Sequence, residues 1–255
     1  MFKAIRIAIL LFILFFVAVG TWLAQSRSTD WNNSLWVKVY PINADSSETV
    51  DRYIATLEVE DFTDIEEFLT REVQRYGRTI SRPLRMELGT PIRTQPPEIG
   101  GRGVLDVMTW SLKLRWWAWR AAGKQDDITP DVRIFIRYHS PDDAYKLEDS
   151  VGLQMGMVGI VNARASRRHE GANNVIIAHE FMHTLGATDK YELGTGQPLA
   201  PEGLAEPDRR PLYPQRWAEI MGGRIAIAQN DAVLPKSLRY TIIGPATARE
   251  SRLAE

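Results

Sequence analysis

Polarity along the chain is unevenly distributed. After Lys3 and Arg6, the run Ile7 to Ala24 carries no charge in 18 residues. As a helix it would rise about 27 Å, close to the roughly 30 Å hydrocarbon core of a bilayer. Trp22 stands near its far end, where interfacial aromatics are favoured. The pattern predicts a transmembrane signal-anchor over 1–24. Lys3 and Arg6 would keep the N-terminus cytoplasmic and leave the rest of the chain periplasmic or extracytoplasmic. The rival reading is a signal peptide cleaved near Ala18-Val19-Gly20, giving a secreted protein. Polar residues 25–34 read as a linker.

Beyond the linker the hydrophobic period switches between strand and helix values. LWVKVY at 35–40 reads as a strand ending at Pro41. Val50, Tyr53, Ile54 and Leu57 recur at helical spacing. Thr63 and Glu66 form a capping-box pattern ahead of Ile65, Phe68, Leu69, Val73 and Tyr76. Residues 84–88 suit a strand, and the Pro- and Gly-rich stretch 90–103 suits a loop. From Val104 to Ala122 a helix is predicted, with Val107, Trp110, Leu114, Trp117 and Ala121 on one face. Trp116 and Trp119 widen that face, and Lys113, Arg115 and Arg120 interleave. It reads as a core helix, or alternatively as a membrane-surface helix or cleft wall. DVRIFIRY at 131–138 alternates as a strand should, and the apolar run 152–163 predicts another. Asn173 or Asn174 can cap a helix from Val175 to Leu185. Five prolines between Pro198 and Pro214 mark a stiff irregular loop. The order predicts an α/β domain over 35–255, with a mixed sheet and a coil-rich C-terminal part.

Composition narrows the chemistry. The 255 residues include no cysteine, which excludes disulfides, thiolate ligands and a cysteine nucleophile. A net charge of −1 gives no reason to expect a nucleic-acid partner. There are four histidines, His139, His169, His179 and His183. Two of them fall in the segment HEFMHTLGATDKY at 179–191. On a helix, His179 and His183 lie one turn apart on the same face, so both imidazoles can reach one metal ion. Glu180, offset by about 100°, can sit beside that metal and take a proton from a water the metal activates. Zn2+ suits this donor set. Gly186 can end the helix in a left-handed conformation, and the returning chain brings Asp189 within reach as a third ligand. No histidine follows His183, so a later ligand must be a carboxylate. Glu192, Glu202, Glu206 and Glu219 are the alternatives to Asp189.

The pattern HExxHxxGxxD, carried by His179, Glu180, His183, Gly186 and Asp189, resembles the metzincin clan of zinc endopeptidases. Its final aspartate is similar to the snapalysin-like minority. The AEIMGG segment places Met221 before two glycines, 38 residues after His183, which fits the Met-turn of that clan. The resemblance covers 173–223 and implies a twisted sheet above an active-site helix, with 35–255 as the catalytic domain. It also implies an edge strand that binds substrate backbone antiparallel, for which 156–163 is the candidate. Tyr191 or Tyr213 could donate a hydrogen bond to an oxyanion, as tyrosines do in some metzincins. The expected function is a membrane-anchored zinc metallopeptidase acting on a peptide or protein substrate, with Glu180 as general base. The alternatives are an inactive zinc-stabilised binding or assembly protein, and a zinc hydrolase of non-peptide amides. Oligomeric state leaves no mark on the sequence.

Overall fold

A computed structural model describes residues 30–101, 103–123, 126, 128–141, 151–153 and 157–254. The secondary structure begins with β1 (Leu35–Asn43), α1 (Glu48–Ile54), α2 (Thr63–Arg75), β2 (Leu84–Leu88), α3 (Val104–Ala122) and β3 (Val132–His139). It continues with β4 (Val151–Leu153), β5 (Val158–Arg164) and α4 (Glu170–Thr184). The C-terminal part holds the short strands β6 (Ala218–Glu219), β7 (Ile225–Ala228), β8 (Asp231–Val233) and β9 (Thr241–Ile242), then α5 (Pro245–Glu250). The mixed α/β architecture agrees with the periodicity.

The main sheet has the order β2-β1-β3-β5-β4. Its β1–β2, β1–β3 and β3–β5 pairs are parallel, and β4 runs antiparallel to β5. The chain moves one way from β1 to β2 and the other way from β2 to β3. Right-handed crossovers therefore put the connecting helices on opposite faces. Val50, Ile65, Phe68 and Leu69 of α1 and α2 join Val37, Val39, Ile134 and Ile136 in the larger core, together with Ile177, Phe181 and Met182 of α4. On the other face Trp110, Leu114, Ala118 and Ala122 of α3 pack on Tyr40, Ile42, Phe135 and Ile160. Both faces of the central strands are covered, as expected for parallel strands. Ile220, Met221, Ile243, Ala248 and Leu253 extend the larger core beneath α4.

A buried charge cluster ties the end of α3 to the sheet. Asp126, whose side chain is 1% exposed, accepts from Arg133 at 3.0 Å, from Lys38 at 3.2 Å and from the Tyr40 hydroxyl. Burial pushes the Asp126 carboxyl up, but these three partners outweigh it and hold the group below its ordinary value.

Several expectations are corrected. The run 152–163 falls on two strands, β4 and β5, rather than one; β5 is interior, and β4 is one edge of the sheet, with β2 the other. Apolar content could not reveal this, because β5 is buried from both sides. The α4 helix begins at Glu170, and Asn173 and Asn174 lie inside it. Asn173 instead bridges Arg164 through both backbone groups, and Asn174 donates to the Asp61 carbonyl. Glu66 does not close a capping box; it accepts from the Met86 backbone at 2.6 Å and pairs with Arg82. Trp116 and Trp119 do not widen the buried face of α3, since they are 58% and 67% exposed. Trp31, assigned to the linker by its polar surroundings, is buried and donates its indole N–H to the Ser251 carbonyl.

The single-pass membrane placement is also corrected. Among the described residues no helix is long and apolar enough to cross a membrane. The longest, α3, carries Asp106, Lys113, Arg115 and Arg120, and charge within a span is costly in hydrocarbon. The anchor expected over 1–24 lies outside the described residues.

Candidate metal centre

The α4 helix delivers His179 and His183 from one face, four residues apart. A Schellman motif then terminates it: Gly186 N–H donates to the His183 carbonyl at 3.0 Å and Ala187 N–H to Met182 at 3.1 Å. Gly186 has φ +103°, a value that side chains resist, so glycine is required at this turn. The reversal carries Asp189 back toward the helix. Asp189 Oδ1 lies 3.1 Å from Nε2 of His179 and 3.1 Å from Nε2 of His183. Ligand-capable atoms of His179, Glu180 and His183 also lie within 4.8 Å of one another.

The far side of each imidazole fixes its tautomer. His179 Nδ1 is 2.8 Å from the Ile220 carbonyl, and His183 Nδ1 is 2.8 Å from the Ala187 carbonyl. A carbonyl only accepts, so each Nδ1 must carry the proton. In neutral imidazoles this leaves both Nε2 lone pairs aimed at a carboxylate oxygen, which also only accepts. Three lone-pair donors thus converge on one point, an arrangement that needs either extra protons or a cation. Burial disfavours charge on His179, but Asp189, Glu180 and the Ile220 carbonyl outweigh it and raise the imidazole above its ordinary value. Burial likewise opposes the charged form of Asp189, yet its two histidine partners hold that carboxyl well below the usual range. The donor set of two imidazoles and one carboxylate, each histidine anchored by a backbone carbonyl, fits a zinc ion.

The competing carboxylates are engaged elsewhere. Glu192 is exposed and accepts from the Thr195 hydroxyl at 2.7 Å. Glu206 pairs with Arg216 and Arg209, and Glu202 is exposed. Glu219 is fully buried and holds the turn that contains Met221. Its Oε2 accepts from Met221 N–H at 2.7 Å and Gly222 N–H at 2.8 Å. Its Oε1 accepts from Gly244 N–H at 2.9 Å and the Thr247 hydroxyl at 2.7 Å. Burial raises the Glu219 carboxyl above its ordinary value even against these donors. The turn closes through Gly222 and Gly223 N–H to the Glu219 carbonyl, with Gly223 at φ +71°. Met221 is completely buried, and the carbonyl of the preceding Ile220 is the one that orients His179.

Other groups at the site left no local trace in the sequence. Glu250 of α5 accepts from Thr188 N–H at 2.9 Å, the Thr188 hydroxyl at 2.8 Å and Lys190 at 2.7 Å. It therefore grips both neighbours of Asp189. Gly159 of β5 faces α4, where an added Cβ would meet Glu180 Cβ at 3.9 Å. The Tyr191 ring lies 6.1 Å from that of His179, whereas Tyr213 sits half-buried in the proline-rich loop. His139, at the end of β3, bonds to Asp45 at 2.9 Å and Asn162 at 3.1 Å, which gives it a structural role.

No family model matches the chain. No curated protein matches it. Among solved structures it is similar to a chain described as "Structure of a chaperone-substrate complex", with 13% identity and a TM-score of 0.40. That alignment covers 87% of this chain and 35% of the other, so this chain spans about a third of the other's length. A likeness this weak carries no argument about function.

Proposed function

We propose that the protein is a zinc-dependent metallopeptidase of metzincin type. The observation that carries the reading is the convergence of His179 Nε2, His183 Nε2 and Asp189 Oδ1, with both Nδ1 positions committed to backbone carbonyls. A buried methionine turn that supplies one of those carbonyls supports it. So does a sheet with one edge strand, β4, that runs antiparallel to its neighbour, the kind of strand on which an extended peptide can pair.

His179, His183 and Asp189 would hold the zinc, which supplies Lewis-acid activation of water and of the carbonyl under attack. Glu180 follows the first ligand on the same helix and is 4% exposed. Its carboxylate accepts the proton of the attacking water and returns it to the departing amine nitrogen. The carbonyls of Ile220 and Ala187 keep each Nε2 available as a donor. Tyr191 is the nearer of the two tyrosines for stabilising an oxyanion.

The test is zinc stoichiometry together with proteolysis of an unstructured protein substrate. Wild type should hold about one zinc per chain, a single site. Glu180→Gln should keep the metal and lose roughly 100- to 10,000-fold in kcat/KM. Zinc-free purified protein would refute the metal centre. Unchanged activity in Glu180→Gln would refute the assigned role of Glu180. Zinc retained without any proteolysis by wild type would favour a non-catalytic zinc-stabilised protein.

A further inference from the structure

The α3 helix has two apolar faces, and among the described residues only one packs into the core. Trp110, Leu114 and Ala118 are buried against the sheet. On the opposite side Leu105, Met108, Leu112, Trp116 and Trp119 are 75%, 57%, 60%, 58% and 67% exposed. At about 100° per residue, all five project within roughly 40° of the Leu112 direction, a continuous stripe along the helix. Isolated exposed apolar residues are ordinary, but a stripe with two tryptophans marks an interaction surface.

The stripe carries its own symmetry. Its spacings of three, four, four and three residues read the same in both directions, with Leu112 at the centre. Laid against a second α3 running antiparallel, Leu105 falls opposite Trp119 and Met108 opposite Trp116. Leu112 meets its own copy on the twofold axis. One charge pair follows the same register. Asp106 sits in the first turn and Arg120 in the last, on the same flank, so antiparallel pairing brings each Asp106 beside the second copy's Arg120. Helix dipoles are also opposed in this arrangement. The five side chains offer on the order of 700 Å² per copy, with each tryptophan supplying much of its 150–250 Å². A standard stable interface uses about 800 Å² per partner.

We propose that the protein forms a twofold-symmetric homodimer through antiparallel packing of α3. A lipid surface would need no such palindrome. The dimer requires neither metal nor catalysis, so it stands independently of the proposed peptidase activity.

The absence of cysteine makes the register directly testable in the full chain. Facing helices about 10 Å apart bring Cα atoms on the axis to roughly 5 Å, within disulfide range. Under mild oxidation with oxidised glutathione, Leu112→Cys should give a covalent dimer. Leu105→Cys and Trp119→Cys should each stay uncrosslinked alone and form the mixed dimer when combined. By sedimentation, Leu112→Asp should weaken dimerisation roughly 30-fold or more, as expected for a central hot spot. Circular dichroism should show its fold intact, because Leu112 is not a core residue. A monomeric wild type, a Leu112→Asp variant that associates like wild type, or failure of Leu112→Cys to crosslink would each overturn the proposal. Monomers that bind anionic phosphatidylserine vesicles through α3 would overturn it in favour of a lipid partner. Should Leu112→Asp misfold, the crosslinking result decides.

Discussion

Glu219 offers the sharpest test of how the fold builds the candidate metal centre. The carboxylate is fully buried and accepts four hydrogen bonds, two on each oxygen. Replacing it with glutamine keeps the shape and turns one oxygen into a donor. The amide can point its oxygen at Met221 and Gly222 and present its NH2 to Gly244 and Thr247. Thr247 can rotate to accept, but Gly244 N–H is left facing a donor. That orphaned donor costs about 1–3 kcal/mol. The bonds that remain lose the strengthening that charge provides, which adds roughly another 1 kcal/mol. Against this, glutamine no longer buries a charge, which offsets part of the loss. The expected net destabilisation is about 2–3 kcal/mol. It should be measured by urea denaturation with a chelator present, so that metal binding does not contribute. Zinc affinity of the folded variant should fall as well, because the same turn presents the Ile220 carbonyl to His179. A Glu219→Gln protein within 0.5 kcal/mol of wild type would refute the claim that this carboxylate holds the turn. A loss of zinc with no loss of metal-free stability would instead make Glu219 a ligand.

Further outcomes follow from other contacts. Asp189→Asn should lower zinc affinity by more than the 10- to 100-fold typical of outer-shell changes, measured by competition with a chromogenic chelator. Asp126→Asn should destabilise by about 2–4 kcal/mol at neutral pH in urea unfolding, since Lys38 and Arg133 lose a buried counter-charge while Lys38 keeps Glu87. Because the folded Asp126 carboxyl is depressed, its contribution is present above the unfolded value of about 4 and fades as pH falls through the folded value. The gap between wild type and Asp126→Asn should therefore close in acid. Gly222→Ala should cost roughly 1–3 kcal/mol in the same assay, because a Cβ there collides with the Gly203 backbone carbonyl.

Much of the site was legible in the sequence because it is local. His179, Glu180 and His183 share one helix, and Gly186 both ends that helix and sends Asp189 back, all within eleven residues. Periodicity of the same short range gave β1, β2, β3, α3 and the α/β class. Where the sequence reading failed, a distant partner had changed the outcome. Glu66 looked like a capping residue but was drawn to Met86, and Asn173 looked like a cap but was recruited to bridge Arg164.

Local pattern alone thus determined which residue types could bind a metal and in what order they come along the chain. Only the tertiary structure decided which carboxylate meets the two histidines, because Glu219 and Asp189 differ in surroundings and not in chemistry. It also decided that β5 is interior and β4 an edge, a distinction hidden when both sides of a strand are apolar. The grip of Glu250 on the Asp189 loop spans about 60 residues, and the Ile220 carbonyl reaches His179 across 41. Contacts of that range follow from how the layers pack, and neighbouring residues carry no signal of them.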